Sequence, residues 1–459
     1  MINDLVTKED LPLFTSGTRF TMGSVYVLEG FKDMVANFDL FVRDLPENRN
    51  YLVFAGLEHI IDFLINLKFT PAQIKWLQKT YHFPRATMEY YRKFRFTGSV
   101  QAMPEGTIFF PNEPIIRITA PIIEAQIIEI YLTNTVFLQT ILASKISRFI
   151  NAAKGKKAVF GFNRSYGLDT AMKLDRVGKI VGATQSSVAI TNFRNPTIST
   201  WSTHMFHHFV TAFDNEIDAF RAHLKHYPDS GTILVDTYDT VKGVKNFIIA
   251  ALESRKLTGK DPKNIMLDSG DLYDLSVKAR KLLDAAGLNK TCIMATSNLD
   301  EYKVEALQKK KAPIDIYSGT TNILTPIDAP VLELVYKLSE LTKNGQRLPK
   351  MKLSTGKVSL PGRKQVFRCT SHGRYVKDII GLENEKLSGK KLLVSCIKNG
   401  KLVRKIPSLT MMGKYYQTEK ERFFPSLMSI SQHHNYSVQI SPGLKRLVKK
   451  TKAEIAKKL

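Results

Sequence analysis

Two short apolar runs, each ending in a cluster of Asp, Ser, Thr and Gly residues, constrain the fold of this chain most. The first run ends in LVDTYDT (234–240), and the second ends in MLDSGDL (266–272). Uninterrupted apolar runs of this kind are typical of strands that are buried on both faces of a parallel sheet. Because α/β barrels and open α/β sheets carry their chemistry at the C-terminal ends of such strands, both clusters predict site residues.

Four aspartates in these clusters are the first candidate site residues: Asp236, Asp239, Asp268 and Asp271. Their carboxylates could bind ribose hydroxyls, a metal ion or both. The alternative is that each one caps the helix that follows its strand. Because two neighbouring strand–helix units share the same arrangement, the pattern favours a site over two unrelated caps.

Strand-like and helix-like segments alternate between about residue 157 and residue 338, which indicates a mainly parallel sheet. The predicted strands are 157–162, 178–183, 198–203, 231–236, 263–268, 291–296, 313–317 and 333–338. The predicted helices are 168–175, 208–225, 241–254, 271–286 and 300–309. About eight such strands suggest an α/β barrel, and their uneven spacing predicts an irregular one.

The segments on either side of the barrel differ from it in pattern. Residues 1–120 predict an N-terminal α+β domain, and residues 121–350 predict the barrel domain. Residues 351–459 predict a β-rich, basic segment that is either a C-terminal extension or a return to the N-terminal domain. Its last part, 444–459, has apolar residues at helical spacing among lysines, and predicts a basic helix that packs on the body or binds a polyanion.

The composition limits the classes of partner. A net charge of +25 favours anionic partners such as phosphorylated metabolites, nucleic acid or a membrane surface, although lysines spread over an ordinary solvated surface also explain it. No recognised nucleic-acid motif accompanies the charge, so nucleic acid is the less favoured partner. Three scattered cysteines suit a reducing cytoplasm better than a disulfide framework or a zinc site. We expect neither a signal peptide nor a membrane helix.

Six segments resemble those of the nicotinate phosphoribosyltransferases, in the same order and at similar spacing. They are VQAMPEGTIFFPNEPIIRITAPIIEAQIIE, FGFNRSYGLDTA, LVDTYDT, IMLDSGDLYDLS, ATSNLDEY and KVSLPGRKQVFR. The resemblance extends from about residue 20 to residue 368. It implies an irregular α/β barrel beside an N-terminal domain, in a cytoplasmic enzyme of NAD salvage that is a homodimer with its active site near the subunit interface.

The resemblance also implies a reaction. Members of the family join nicotinate to 5-phosphoribosyl-1-pyrophosphate, hereafter the phosphoribosyl donor, and release nicotinate mononucleotide and pyrophosphate. Turnover is coupled to ATP hydrolysis through a phosphorylated histidine. Because the donor and ATP are both polyanions, a basic protein with Mg²⁺-binding carboxylates suits this chemistry.

Individual residues receive roles from the same resemblance. His207, in THMFHHFVTAF, matches the phosphorylated histidine, and His204 or His208 takes its place if the alignment is shifted; an ordinary core or surface histidine is the alternative. Asp236 and Asp268 are expected to act in catalysis with His207 and to hold Mg²⁺. The expected substrate-binding residues are Phe160, Arg164, Ser186, Asp239, Asp271, Gly319, Thr320, Thr321 and Lys357.

Several of these expectations have a structural alternative. Phe160 corresponds to the aromatic residue that packs on the nicotinate ring, but aromatic residues also fill cores. Arg164 would pair with phosphate or with the nicotinate carboxylate. The turn at 318–325 could hold a 5′-phosphate or could be an ordinary Gly/Thr turn. Lys145 and Arg148 could add positive charge to the site or could lie on a solvated helix face.

Some positions depart from the pattern of the family. Thr18 replaces a tyrosine that covers the nicotinate ring, and Asn163 and Met266 each replace an arginine. The turns at 185–188, 203–204 and 318–321 also differ. Because losing an arginine removes a fixed charge and a bidentate donor, a non-catalytic or substrate-shifted relative is the alternative. The surviving acidic clusters and His207 favour a working enzyme.

Overall fold

The computed structural model describes residues 6–183, 185–186, 188–194, 199–200, 204–229, 231–354 and 358–458. Its α-helices are α1 Gly17–Leu28, α2 Leu57–Asn66, α3 Pro71–Tyr81, α4 Arg85–Arg92, α5 Ile122–Ile127, α6 Glu129–Ala152, α7 Gly167–Val181, α8 Ala189–Arg194, α9 His207–Thr211, α10 Glu216–His226, α11 Thr240–Thr258, α12 Leu272–Ala285, α13 Glu301–Lys309, α14 Thr321–Leu324, α15 Leu409–Glu421 and α16 Pro442–Ala456. Short 3₁₀ helices lie at Leu11–Leu13 and Pro425–Met428.

The strands come in two groups along the chain. They are β1 Val35–Val42, β2 Leu52–Val53, β3 Ser99–Ala102, β4 Ile108–Phe109, β5 Ile116–Pro121, β6 Lys157–Phe160, β7 Gln185–Ser186, β8 Ser199–Thr200, β9 Thr232–Leu234, β10 Asn264–Leu267, β11 Cys292–Leu299, β12 Ile316–Gly319, β13 Leu334–Lys343, β14 Gln346–Pro349, β15 Lys364–Ser371, β16 Arg374–Leu382, β17 Lys390–Lys391, β18 Val394–Lys398, β19 Lys401–Leu402 and β20 Ser437–Ile440. Strands β6 to β12 alternate with helices, as the sequence predicts.

The chain forms two compact units. Unit 1 consists of Met1–Ser144, Val331–Ser429 and His433–Leu459, and unit 2 consists of Lys145–Pro330 and Ile430–Gln432. Unit 1 contains a sheet with the strand order β14-β13-β1-β5-β3-β18-β19 and a second sheet with the order β17-β15-β16-β20. The first of these sheets combines strands from both ends of the sequence.

Unit 2 is built around a parallel sheet. The described strands pair in the order β6-β12-β11-β10-β9, while β7 and β8 form a second parallel pair and His204 bridges to Thr232 at the β9 edge. The first strand, β6, therefore lies next to the last one, β12, which is the pairing that closes a barrel. The predicted α/β class is confirmed, although among the described residues the hydrogen-bonded ring is incomplete.

Two predicted barrel strands are wrong. The segment 178–183 belongs to the end of α7, where Gly182 ends the helix in a left-handed conformation (φ 104°) that glycine adopts freely. The segment 333–338 does form a strand, β13, but that strand pairs antiparallel with β1 in unit 1. Both errors have one cause: a short apolar run does not reveal which neighbour it will pack against. Of the predicted strand 198–203, only 199–200 lies within the described residues.

Lys145 and Arg148 have neither of their expected environments. Both side chains are buried, at 1% and 2% exposure, and both contact Glu301, which is fully buried. The Lys145 Nζ lies 2.6 Å from Glu301 Oε2, and the Arg148 Nε lies 3.0 Å from Glu301 Oε1. These cations therefore neutralise a buried carboxylate at the start of α13.

Candidate active site

A cavity of about 1420 Å³ opens at the C-terminal ends of the parallel strands of unit 2. Its lining includes residues that directly follow β6 and residues at the ends of β9, β10, β11 and β12. This is the end of the sheet where the sequence predicts a site. Among the predicted site residues, those that line the cavity are Arg164, His207, Asp268 and Thr320.

His207 is the first residue of α9, and its imidazole is held from two sides. Its Nδ1 lies 3.2 Å from Thr237 Oγ1, which is hydrogen-bonding distance. Its Nε2 lies 3.8 Å from Asp268 Oδ2, which is the range of an ion pair. Because the side chain is 48% exposed, the ring is both oriented and accessible, as a nucleophilic histidine requires.

Asp268 and Asp236 form an acidic pair at the ends of two neighbouring strands. Asp236 is buried, and its Oδ2 accepts hydrogen bonds from the Asp268 backbone N–H at 2.8 Å and from Ser269 Oγ at 2.6 Å. Burial, and then the negative charge of Asp236, raise the pKa of Asp268, whereas nearby His207 lowers it. Asp236 therefore fixes the backbone of the second acidic cluster from behind, and Asp268 faces the cavity.

Arg164 and the turn after β12 lie on another side of the cavity. The Arg164 Nη1 donates to Thr321 Oγ1 at 3.3 Å, and Thr320 lines the cavity beside them. A Cβ atom at Gly319 would lie 2.9 Å from Ile323 Cγ1 and 3.0 Å from the Phe160 ring, so close packing explains the glycine. The predicted phosphate turn is thus close to a guanidinium group.

Phe160 lies in the core of unit 2. Its side chain is 1% exposed, and its ring centroid lies 5.6 Å from that of Phe149. Of the two alternatives for Phe160, the structure therefore shows packing in the core rather than an accessible ring for nicotinate. Phe162, two residues later, is also buried but lines the cavity.

Asp239 and Asp271 cap helices. Asp239 Oδ1 accepts from the Lys242 backbone N–H at 2.7 Å, and Asp271 Oδ1 accepts from those of Tyr273 and Asp274 at 2.9 and 3.1 Å. Neither aspartate lines the cavity. The capping alternative therefore describes the second aspartate of each cluster, and the site alternative describes Asp268.

The other two histidines of the cluster have different environments. His204 is half-buried, and burial, together with the charge of His223, lowers its pKa to about 4, so it is neutral at pH 7. His208 is exposed, with its ring centroid 6.0 Å from that of Phe206. All three histidines line the cavity, but His207 is the one beside Asp268.

Residues that sequence reasoning did not single out also line the cavity, among them Arg194, Ser297 and Asn298. Ser297 and Asn298 belong to the quoted segment ATSNLDEY, so their position after an apolar run was a usable signal. Arg194 follows no strand, and no local pattern pointed to it. The predicted residue Lys357 and the side chain of Ser186 lie outside the described residues.

Comparison with known proteins identifies the family. Models of the nicotinate phosphoribosyltransferase N-terminal and C-terminal domains match residues 13–137 and 386–448. A nicotinate phosphoribosyltransferase of Mycobacterium tuberculosis is 38% identical over 434 residues, which cover 94% of this chain and 91% of that protein. The chain belongs to the nicotinate phosphoribosyltransferase family. A Bacillus subtilis nicotinate phosphoribosyltransferase is 37% identical over 396 residues, covering 84% of this chain and 79% of that protein.

Solved structures share the fold of this family member. The crystal structure of human nicotinic acid phosphoribosyltransferase matches with a TM-score of 0.83 and 24% identity, covering 95% of this chain and 99% of that one. The family models and the two bacterial relatives confirm the resemblance inferred from six sequence segments. Two of the departures from the family pattern, Asn163 and Met266, line the cavity, whereas Thr18 is an exposed residue of unit 1.

Proposed function

We propose that this family member joins nicotinate to the phosphoribosyl donor, giving nicotinate mononucleotide and pyrophosphate in a cytoplasmic NAD salvage reaction. The observation that carries the proposal is the placement of His207 beside Asp268 in a large cavity, in a chain of this family. Arg164 and Thr320 give the same cavity a cation and a hydroxyl for phosphate or carboxylate groups. The cavity is large enough for more than one small substrate.

His207 is the proposed phosphate acceptor from ATP. In that step an imidazole nitrogen bonds to the γ-phosphorus while the bond from phosphorus to the oxygen of the leaving ADP breaks. The contacts to Thr237 and Asp268 support this role, because a positioned ring loses less freedom on reaching the transition state. The exposed ring edge gives the phosphate access.

Mg²⁺ is the proposed metal ion, held by Asp236 and Asp268 together with substrate phosphate oxygens. The residues fit it: the buried Asp236 Oδ1 has no hydrogen-bond partner among the described residues, and two carboxylates are a usual protein contribution to a magnesium site. The described part of the chain contains no group of three acidic, histidine or cysteine side chains that could hold a metal ion. Substrate phosphates would therefore supply the remaining ligands of the ion. When bound, Mg²⁺ would neutralise diphosphate charge.

The remaining cavity residues have proposed binding roles. Departure of pyrophosphate leaves positive charge on the ribose carbon, so the site must stabilise charge and exclude water more than form bonds to the sugar. Asp268 supplies negative charge near that carbon, and Arg164 pairs with a phosphate or with the nicotinate carboxylate. Two phenylalanines line the cavity and are the proposed contacts of a pyridine ring: Phe162, which is 6% exposed, and Phe206, which is 58% exposed.

A product assay tests the reaction and the histidine together. Purified protein receives nicotinate, the phosphoribosyl donor and Mg²⁺, with and without ATP. We expect nicotinate mononucleotide, with a rate that ATP raises. In His207→Ala, the increase in rate that ATP causes should fall by about tenfold or more, because no other group replaces the phosphate acceptor. The measurement is product formed per unit time by chromatography.

Two further variants control this assay. His226→Ala, at the end of α10 and outside the cavity lining, should keep the stimulation. His208→Ala tests the shifted alignment, and loss of stimulation there but not in His207→Ala would reject His207. No product from nicotinate, but product from another base, would favour the substrate-shifted alternative, which Asn163 and Met266 in the cavity lining motivate.

We also propose that the protein is a homodimer in which the partner covers the cavity rim. Three apolar side chains around the cavity support this: Leu168 is 84% exposed, Phe206 is 58% exposed, and both line it, while Phe193 is 85% exposed on α8. Large apolar side chains grouped at such exposure are typical of an interaction surface. In the described part of the chain, no helix is long and apolar enough to cross a membrane.

The size of the particle tests this surface. Light scattering should give the mass of a dimer for the unchanged protein. Leu168→Asp should raise the dissociation constant of the dimer by about tenfold or more, because burying a charge in the interface is costly. Leu257→Asp is the matched control, because Leu257 is 85% exposed but does not line the cavity. A monomer at all concentrations, or equal effects of the two changes, would reject the proposal.

A further inference from the structure

Two consecutive residues at the end of β11 have left-handed backbone conformations. Ser297 has φ 82° and Asn298 has φ 50°, and the pairing of β11 with β12 is irregular between Ala295 and Leu299. Side chains other than glycine rarely adopt such angles, and asparagine tolerates them better than serine does. Because the strain falls on residues that line the cavity, it points to a functional constraint on this turn.

The turn is tied to the next strand by a side chain. Asn322 Nδ2 donates to the Asn298 carbonyl oxygen at 2.9 Å, and Lys303 Nζ donates to the same oxygen at 3.1 Å. Asn322 lies in α14, directly after β12, so its hydrogen bond connects the C-terminal ends of β11 and β12. The left-handed residue thus has its carbonyl oxygen held by two donors from different elements.

The chain beyond the turn is anchored as well. Glu301, three residues after Asn298, is fully buried between Lys145 and Arg148. The turn therefore lies between a fixed strand and a fixed helix start. Such a segment keeps a strained conformation because its ends cannot relax independently.

The turn faces the residues proposed for catalysis. Ser297 and Asn298 line the same cavity as His207 and Asp268. A change of the turn from left-handed to ordinary backbone geometry would therefore alter the wall of the cavity beside these two residues.

We propose that Asn322 is a positioning residue, which holds the strained Ser297–Asn298 turn in the shape that completes the cavity around Asp268. This inference rests on the proposed function for its effect on catalysis, but the contact itself does not depend on it. Asn322 does not line the cavity, so it acts through the turn. Its hydrogen bond offsets the unfavourable backbone angles of Ser297.

The effect of Asn322→Ala on activity should depend on which residue occupies position 297. Asn322→Ala should lower kcat/KM for the phosphoribosyl donor by about tenfold, while the unfolding temperature stays unchanged. Ser297→Gly supplies a second background, because glycine adopts φ 82° without strain. Since Ser297 lines the cavity, the activity of Ser297→Gly itself is the reference in that background. Adding Asn322→Ala there should cause little further loss of kcat/KM, because the turn no longer depends on the hydrogen bond from Asn322.

A matched control and a second readout complete the experiment. Asn66→Ala removes another side-chain hydrogen bond to a backbone carbonyl, from Asn66 Nδ2 to Asp62 O at 2.8 Å. Because Asn66 is not part of the cavity lining, this change should have no effect on kcat/KM. Asn322→Ala with full activity, or an equal loss from Asn322→Ala in the unchanged and the Ser297→Gly backgrounds, would overturn the proposal. If the unchanged protein makes no product, the proposed function fails, and amide hydrogen exchange at 296–299 alone tests the role of Asn322. Faster exchange in Asn322→Ala than in the unchanged protein supports the proposal, and equal exchange overturns it.

Discussion

At the scale of single residues, burial decides what each titratable group can do. His204, His207 and His208 lie within five positions of one another, yet one is half-buried and neutral, one is held beside Asp268, and one is exposed. The same rule applies to carboxylates in unit 1. Glu124 is buried, and its carboxylate accepts from the Thr97 backbone N–H at 2.6 Å and from Thr97 Oγ1 at 2.9 Å.

The pKa of Glu124 leads to a pH-dependent prediction. Burial raises this pKa to about 7, above the ordinary value of a glutamate in an unfolded chain. The folded state therefore binds the proton more tightly, and the resulting stabilisation is present below about pH 4.5 and lost as the pH rises through 7. The free energy of unfolding should fall by about 2 kcal/mol between pH 5 and pH 8 in the unchanged protein relative to Glu124→Gln.

Chemical denaturation at the two pH values measures this difference. Glu47→Gln, at an exposed loop position, controls for the loss of one carboxylate. If the difference between the unchanged protein and Glu124→Gln is the same at pH 5 and pH 8, the carboxyl group does not change its protonation in this range and the prediction is wrong.

At the scale of elements, the strand-to-helix turns carry both structure and chemistry. In each of the two acidic clusters, the first aspartate lies one or two positions beyond the strand and the second caps the next helix. This division follows from geometry, because the N-cap position directs its side chain back to the first turn of its own helix. Of the two first aspartates, Asp268 lines the cavity at the end of the sheet, whereas Asp236 accepts hydrogen bonds from Asp268 N–H and Ser269 Oγ behind it.

Asp271 offers a test that separates capping from binding. Asp271→Ala should lower the free energy of unfolding by about 1 kcal/mol, because two backbone N–H groups of α12 lose their acceptor. Asp271→Asn should keep the stability, since asparagine is an equally good cap, and should also keep the product rate. A stable Asp271→Asn variant that has lost activity would instead assign Asp271 to the substrate.

At the scale of the whole molecule, unit 1 is assembled from the two ends of the chain. Strand β1 lies between β5 and β13, which are separated by about half of the sequence. Buried charges depend on the same assembly: Asp39 lies 2.7 Å from Lys364 Nζ, and Arg117 lies 2.7 Å from Glu383. Removing either end would leave charges buried without partners, which is strongly destabilising.

A fragment experiment tests this interdependence. Residues 1–144 alone should show no cooperative thermal unfolding, because β1 loses β13 and Asp39 loses Lys364. Co-expression with residues 331–459 should restore a cooperative transition, followed by circular dichroism. A fragment 1–144 that unfolds cooperatively by itself would show that the N-terminal residues form an independent domain, as the boundary at 120 predicted from sequence implies.

The sequence by itself determined the α/β class, most of the parallel strands and the family, because these depend on local apolar runs, turn residues and the order of segments. It also selected Asp268, since residues after parallel strands converge at one end of the sheet, and the resemblance to the family selected His207, Arg164 and Thr320. Only the tertiary structure decided that Phe160 is core, that β13 joins the other unit, and which aspartates cap helices. Those outcomes depend on contacts between residues far apart in the chain, and a local pattern carries no information about which distant partner it will meet.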